Sequence, residues 1–123
     1  MMLKREIGNI GEEMAVKKLK KLGYKIIARN FSCKMGEIDI IANDGEYLVF
    51  VEVRLRSRNS YGTAAETVDK YKQRKIIKTA EVYMMKTNSS FAPSRFDVVA
   101  ISADDKGKYE IEVIKDAFRA NIL

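Results

Sequence analysis

The stretch EYLVFVEVRLR, residues 46 to 56, reads as a β-strand, yet Glu52 and Arg54 stand among valines where such a strand would bury hydrocarbon. Just before it, GEIDIIANDGEY carries Glu37 and Asp39 and ends in Asp44-Gly45, a dipeptide suited to a two-residue hairpin loop. That loop predicts that Asn43 faces Glu46, Ile41 faces Leu48, Asp39 faces Phe50 and Glu37 faces Glu52. A four-residue loop closing Ala42 against Tyr47 keeps this register, whereas a three-residue bulged loop would flip it. Side chains alternate with a period of two, so Glu37, Asp39, Glu52 and Arg54 are expected on one side, opposite Ile38, Ile40, Ala42, Val49, Val51 and Val53. Asp39 and Glu52 would be diagonal neighbours, roughly 7 to 8 Å apart by Cα. Three carboxylates so close raise one another's pKa and weaken the fold unless a cation compensates. A hard divalent cation such as Mg²⁺ takes one or two carboxylates with waters and phosphate oxygens. The alternative is structural: Arg54 simply pairs with Glu52 or Glu37 on a partly exposed strand.

These strands need helices to position them. Residues 4 to 22 have a helical apolar stripe of Leu3, Ile7, Ile10, Met14, Leu19 and Leu22, with Gly23 as the stop. Strands are expected at Tyr24 to Phe31, Glu37 to Ala42 and Tyr47 to about Arg56. A second helix is expected over Ala64 to Lys86, then strands at Arg95 to Ser102 and Tyr109 to Ile114. The order αβββαββ specifies an α/β fold, a mixed central sheet with helices packed on it.

The 123 residues suit one domain spanning 1–123, and 46% hydrophobic with 33% charged residues excludes a disordered chain. No apolar run approaches the ~20 residues of a membrane span and no signal-peptide pattern opens the chain, so a cytoplasmic protein is expected. The chain has no histidine and one cysteine, Cys33. That removes histidine bases, Ser-His-Asp triads, Cys-His pairs and zinc sites, leaving carboxylates, lysines and a metal to do any chemistry. A net charge of +6 and a pI near 9.4 suit a polyanionic partner, nucleic acid above all.

GEIDII followed by FVEVR resembles the core of PD-(D/E)XK nucleases, with Asp39 matching the Asp, Glu52 the Glu and Arg54 standing where Lys is expected. GNIGEEMA, LGYKIIARNFSCKMGEIDIIA, LVFVEVRLRS and RFDVVAI, in that order, resemble the YraN-type family of bacterial proteins, a branch similar to Holliday junction resolvases. The resemblance runs from Gly8 to about Phe118. It implies a restriction-endonuclease-like fold and a metal-dependent endonuclease that hydrolyses phosphodiester bonds in structured, junction or branched DNA. The alternative is a nuclease-fold protein that grips nucleic acid without cutting; a scaffold for an acidic protein partner is a third reading. The resemblance further implies Mg²⁺ or Mn²⁺ held by Asp39, Glu52, Glu12 and the Val53 carbonyl, and a homodimer suited to two symmetric cuts.

On a helical wheel Glu12 sits at the rim of the apolar stripe beside Ala15 and Leu19, while Glu13 turns to solvent, and Gly8, Gly11 and Ala15 form a small-residue track. Glu37 joins as an accessory acid. The second helix has an inner stripe of Ala65, Val68, Lys72, Ile76, Ala80 and Tyr83, interrupted by Lys72 with Asp69 and Gln73 flanking it. Lys72 either snorkels to solvent or approaches the scissile phosphate, with Gln73 as its accessory. Arg54, Arg56 and Arg58 alternate along RLRSR, a pattern suited to bidentate phosphate contacts, with Tyr61 just beyond. Arg54 cannot act as a base but can stabilise transition-state charge. Asp97 in RFDVV is expected to be structural.

Overall fold

The computed structural model describes residues 4–56, 68–104 and 106–120, with the backbone alone for 4–7. The expected Ala64 start of the second helix, Ala65, Arg58 and Tyr61 lie outside the described residues, as do Leu3 and the Ile7 side chain. The elements are α1 (Lys4–Lys21), β1 (Lys25–Cys33), β2 (Gly36–Asp44), β3 (Tyr47–Leu55), α2 (Lys70–Lys86), β4 (Ser94–Ala103) and β5 (Tyr109–Phe118). The five strands form one sheet in the order β1-β2-β3-β4-β5. Neighbours are antiparallel except β3 and β4, which run parallel because α2 crosses between them. The αβββαββ expectation holds, and the arrangement is a mixed α/β sheet with helices on it. No helix among the described residues is long and apolar enough to cross a membrane.

Each helix covers its own apolar layer. Ala15, Val16 and Leu19 of α1 pack with Ile40, Ala42, Val49, Val51, Val99 and Ile101, while Ile76 and Ala80 of α2 pack with Ile41, Leu48, Phe50, Phe96 and Val98. β3 and β4 thus bury both faces, which explains their near-continuous apolar sequence. The α1 stripe is rotated from the expected one: Ile10 and Leu22 are exposed. The residues that face the sheet are smaller. A Cβ on Gly11 would meet Leu55 Cδ2 at 2.8 Å, so its absence lets α1 approach, whereas Gly8 has open space around it.

α2 begins at Lys70 rather than Ala64, because Asp69 is its N-cap: extended at φ −69° and ψ 167°, it accepts the Lys72 N–H on its side chain. β5 runs to Phe118, past the expected end at Ile114. Its charged Lys115 and Asp116 mark a register shift, where Asp116 takes φ 55° and its N–H donates to Asp97 Oδ1.

The β2–β3 register also differs from expectation. Asp44 pairs with Tyr47, Ile41 with Phe50 and Ile40 with Val51, so the two-residue turn is Gly45-Glu46, with Gly45 at φ 60°. Asp44 stays in the strand because Arg95 and Lys115 hold its carboxylate at 2.7 and 3.2 Å. The shift is by two residues, so the parity within the paired segment survives.

Candidate active site

The β2–β3 ladder ends at Ile40↔Val51, although both strands continue. One residue further along each strand stand Asp39 and Glu52. The side-chain alternation breaks at this seam: Ile38 and Ile41 pack in the α2 layer, Ile40 and Ala42 in the α1 layer. The expected single file of Ile38 with Ile40 is therefore wrong, and Asp39 does not simply rise from one face. Its carboxylate turns along the sheet, where Oδ2 accepts the Val53 N–H at 2.8 Å. A strand normally offers that amide to a neighbour's carbonyl; here a side chain has replaced the ladder.

Glu52 is only 6% exposed. It accepts no hydrogen bond among the described residues, and its near cation is Lys72, whose Nζ stands 3.8 Å from Oε1, an ion pair too long for a hydrogen bond. Burial, followed by the charge of Asp39, pushes the Glu52 carboxyl up to about 7, against the opposing pull of Lys72 and Arg54. Burial likewise raises Asp39, helped by Glu12 and Glu37 and opposed by the Val53 N–H and Lys72. Asp39 therefore opposes ionisation of Glu52, and Lys72 offsets part of the charge on both acids.

Of the two readings of Lys72, its ammonium lies toward Glu52, yet the side chain is 44% exposed, so the head keeps contact with solvent. Gln73 does not join the acids through its amide nitrogen: Nε2 donates to the Val68 carbonyl at 2.9 Å and ties off the entry to α2. Arg54 is half-buried and close enough to lower the Glu52 pKa, but forms no ion pair among the described residues. Arg56 caps the sheet through its N–H to Ile101 O at 2.9 Å. Glu37 is exposed at the rim.

Glu12 is buried at 8% exposure, and its Oε1 accepts from Arg29 Nε at 2.9 Å and Asn30 Nδ2 at 3.1 Å. Arg29 also holds the exposed Glu13 at 2.7 Å. Asn30 falls between the pairs Arg29↔Ile40 and Phe31↔Ile38, level with Asp39, and takes the left-handed φ of 54°. Arg29 and Asn30 were not expected at the site. The signal was an Asn inside KIIARNFSC, since Asn is depleted from strands and tolerates positive φ.

Among the described residues no three Asp, Glu or Cys side chains are grouped so as to hold a metal ion. What the chain offers is an open pair, Asp39 with one oxygen on the Val53 N–H and Glu52 with no hydrogen bond among the described residues and Lys72 at 3.8 Å. That fits Mg²⁺ or Mn²⁺, which take one or two carboxylates and complete their shell with water and phosphate oxygens. Elsewhere a hollow of about 420 Å³ is lined by Tyr47, Arg95, Phe96, Asp116, Phe118 and Arg119. Its arginines are engaged by Asp97, Asp44 and Asp116, so it carries no comparable charge imbalance.

Among the described residues, a five-stranded mixed sheet with a helix on each face, and an acidic pair where two central strands part, is consistent with a restriction-endonuclease-like fold. The chain belongs to the uncharacterised protein family UPF0102, whose profile matches residues 11–101. Its relatives include UPF0102 proteins of Caldicellulosiruptor saccharolyticus, 45% identical over 95% of this chain and 100% of the relative, and of Geotalea daltonii, 47% identical over 93% and 90%. The UPF0102 protein of Clostridium tetani is 47% identical over 94% of this chain and 95% of its own length.

Proposed function

We propose that this protein is a metal-dependent nuclease that hydrolyses phosphodiester bonds in structured DNA. The observation that carries this reading is Glu52: a buried carboxylate beside a second carboxylate, with no hydrogen-bond donor of its own among the described residues. Burying such a group weakens a fold, and perturbed acids of this kind concentrate where a ligand supplies what the chain withholds.

Asp39 and Glu52 would hold Mg²⁺ or Mn²⁺, with the Val53 carbonyl as a further donor, while Glu12 stays with Arg29 and Asn30. When bound, such an ion polarises a phosphoryl oxygen and makes a nucleophilic water accessible at neutral pH. The chain's own residues do the rest. The Val53 N–H fixes Asp39 in rotation, so one oxygen is oriented before any ligand arrives. Lys72 enters from α2 and places an ammonium beside Glu52, the charge that the β3 motif would ordinarily supply from the Arg54 position. Arg54 remains a guanidinium that can steady charge on a phosphate but cannot take its proton. Arg29 and Asn30 keep Glu12 oriented toward the Asp39 row.

The second reading, a protein that binds DNA without cutting, is favoured by the hold of Arg29 and Asn30 on Glu12 and by arginine at position 54. Incubation with Mn²⁺ and labelled single-stranded, duplex, flap and four-way DNA decides between them. Nicking by wild type that disappears in Asp39→Asn and Glu52→Gln supports the nuclease; equal binding by all three with no cleavage of any substrate leaves the binding protein. Replacing Lys72 by Met should lower the cleavage rate by about 10² with little change in binding, as expected for a group that acts on developing charge.

A further inference from the structure

The two helices place their cations in opposite ways. α1 carries Lys18, Lys20 and Lys21 in its last turn, where the helix dipole favours positive charge. α2 has no acid in its first turn and instead carries Lys70 and Lys72 there, followed by Arg74, Lys75 and Lys78. Lys70, Arg74 and Lys78 follow one another at i, i+4 and i+8, rising about 6 Å per step on one face. Like charges at that spacing oppose helix formation, and cations at the amino end oppose the dipole. All three are exposed, and none forms an ion pair among the described residues. Exposed Tyr71 lies beside them, with Lys75 Nζ 5.2 Å from its ring centre. Glu81 is the one acid on α2, a turn beyond Lys78. Helix stability does not account for this row.

The inner edge of the same helical end reaches the acidic pair through Lys72, 3.8 Å from Glu52. Lys72 stands about 200° around the helix from Lys70, so the row and the acidic pair lie on opposite sides of the same helical end. Spacing, exposure and sign fit a run of phosphates, and an exposed tyrosine within the row offers a ring on which a base can stack.

We propose that the outer face of α2 is a backbone-tracking surface for nucleic acid, with Lys70, Arg74 and Lys78 as its phosphate row and Tyr71 as a stacking platform. This rests on the nucleic-acid reading above and adds to it a second contact surface, on the side of α2 away from Asp39 and Glu52. The face contributes affinity without base specificity, because phosphates carry no sequence.

The test measures affinity for a labelled duplex and its single strand across a salt series, for wild type, for Lys70→Gln/Arg74→Gln/Lys78→Gln, and for a charge-matched control on α1, Lys17→Gln/Lys20→Gln/Lys21→Gln. The α2 variant is expected to bind at least about tenfold more weakly, with the slope of log K against log salt shallower by about 2 to 3. The control should retain most of the wild-type slope. Without DNA, the α2 variant should melt at or above the wild-type temperature in low salt, since its internal repulsion is relieved. Equal losses in both triple variants would reduce the effect to net charge and overturn the proposal. Unchanged affinity and slope in the α2 variant would overturn it too, while leaving wild-type DNA binding, and with it the nuclease reading, intact. Wild type that binds no nucleic acid but does bind phosphatidylglycerol vesicles through the same row would remove both.

Discussion

Asp97 and Glu52 are both buried acids on adjacent central strands, and in the β3–β4 register they stand one row apart: Val51 faces Asp97, and Glu52 faces Val98. Their surroundings could hardly differ more. Asp97, at 0% exposure, accepts from the Tyr24 hydroxyl at 2.6 Å, Arg95 Nε and an Arg95 terminal nitrogen at 2.9 Å each, and the Asp116 N–H at 3.0 Å. Arg95 continues to Asp44, and burial, then the bond to Asp97, raises the Tyr24 hydroxyl above its ordinary range. Glu52, on the neighbouring strand, has Lys72 at 3.8 Å and no donor among the described residues. An acid buried for structure comes with its hydrogen bonds already built; an acid buried without them is complete only when something from outside arrives.

Asp97→Ala should produce the largest stability effect, a loss of about 3 to 5 kcal/mol in urea denaturation, because it strands Arg95, the Tyr24 hydroxyl and the Asp116 N–H at once. A loss below about 1 kcal/mol would erase the contrast. Glu52→Gln should act in the other direction. The folded chain holds the Glu52 proton to about pH 7, whereas an unfolded glutamate releases it near 4.5. Wild-type stability therefore falls as pH climbs through that window, and the variant should gain up to about 3 kcal/mol at pH 8 and nothing near pH 4.5. Urea midpoints at the two pH values check this. Mn²⁺ at pH 8 should close the gap by stabilising wild type alone; a gap that ignores the metal would separate the pKa from cation binding. Asp44→Asn should have the smallest effect, under about 1 kcal/mol and weaker in high salt, since Asp44 is partly exposed. Its carboxyl is lowered by the Arg95 bond and then by Lys115, so its contribution is present at neutral pH and fades as pH falls through the folded pKa.

The acids of the site were legible because charge among valines is costly and so conspicuous. Asp39 and Glu52 could be named from FVEVR and EIDII, and the structural role of Asp97 from a short apolar strand around it. The register was missed by two residues because Asp-Gly is a strong turn signal, while the ionic hold of Arg95 and Lys115 on Asp44 comes from β4 and β5. α2 starts later than the sequence suggests although Asp69 is a good cap, since the apolar spacing continues upstream through Val68 to Ala65. Arg29 and Asn30 were passed over because their partner, Glu12, lies on another element.

Element order, the two-faced burial of β3, the absence of histidine chemistry and the presence of an acidic pair were written in the sequence, because they follow from composition and from periods of two and 3.6 residues along one chain. Where β2 and β3 part, that Asp39 takes the Val53 amide, and that Lys72 rather than a β3 lysine stands beside Glu52 were decided only by the tertiary structure. Those are relations between segments whose distance is set by how two helices seat on one sheet, and no local pattern encodes that seating.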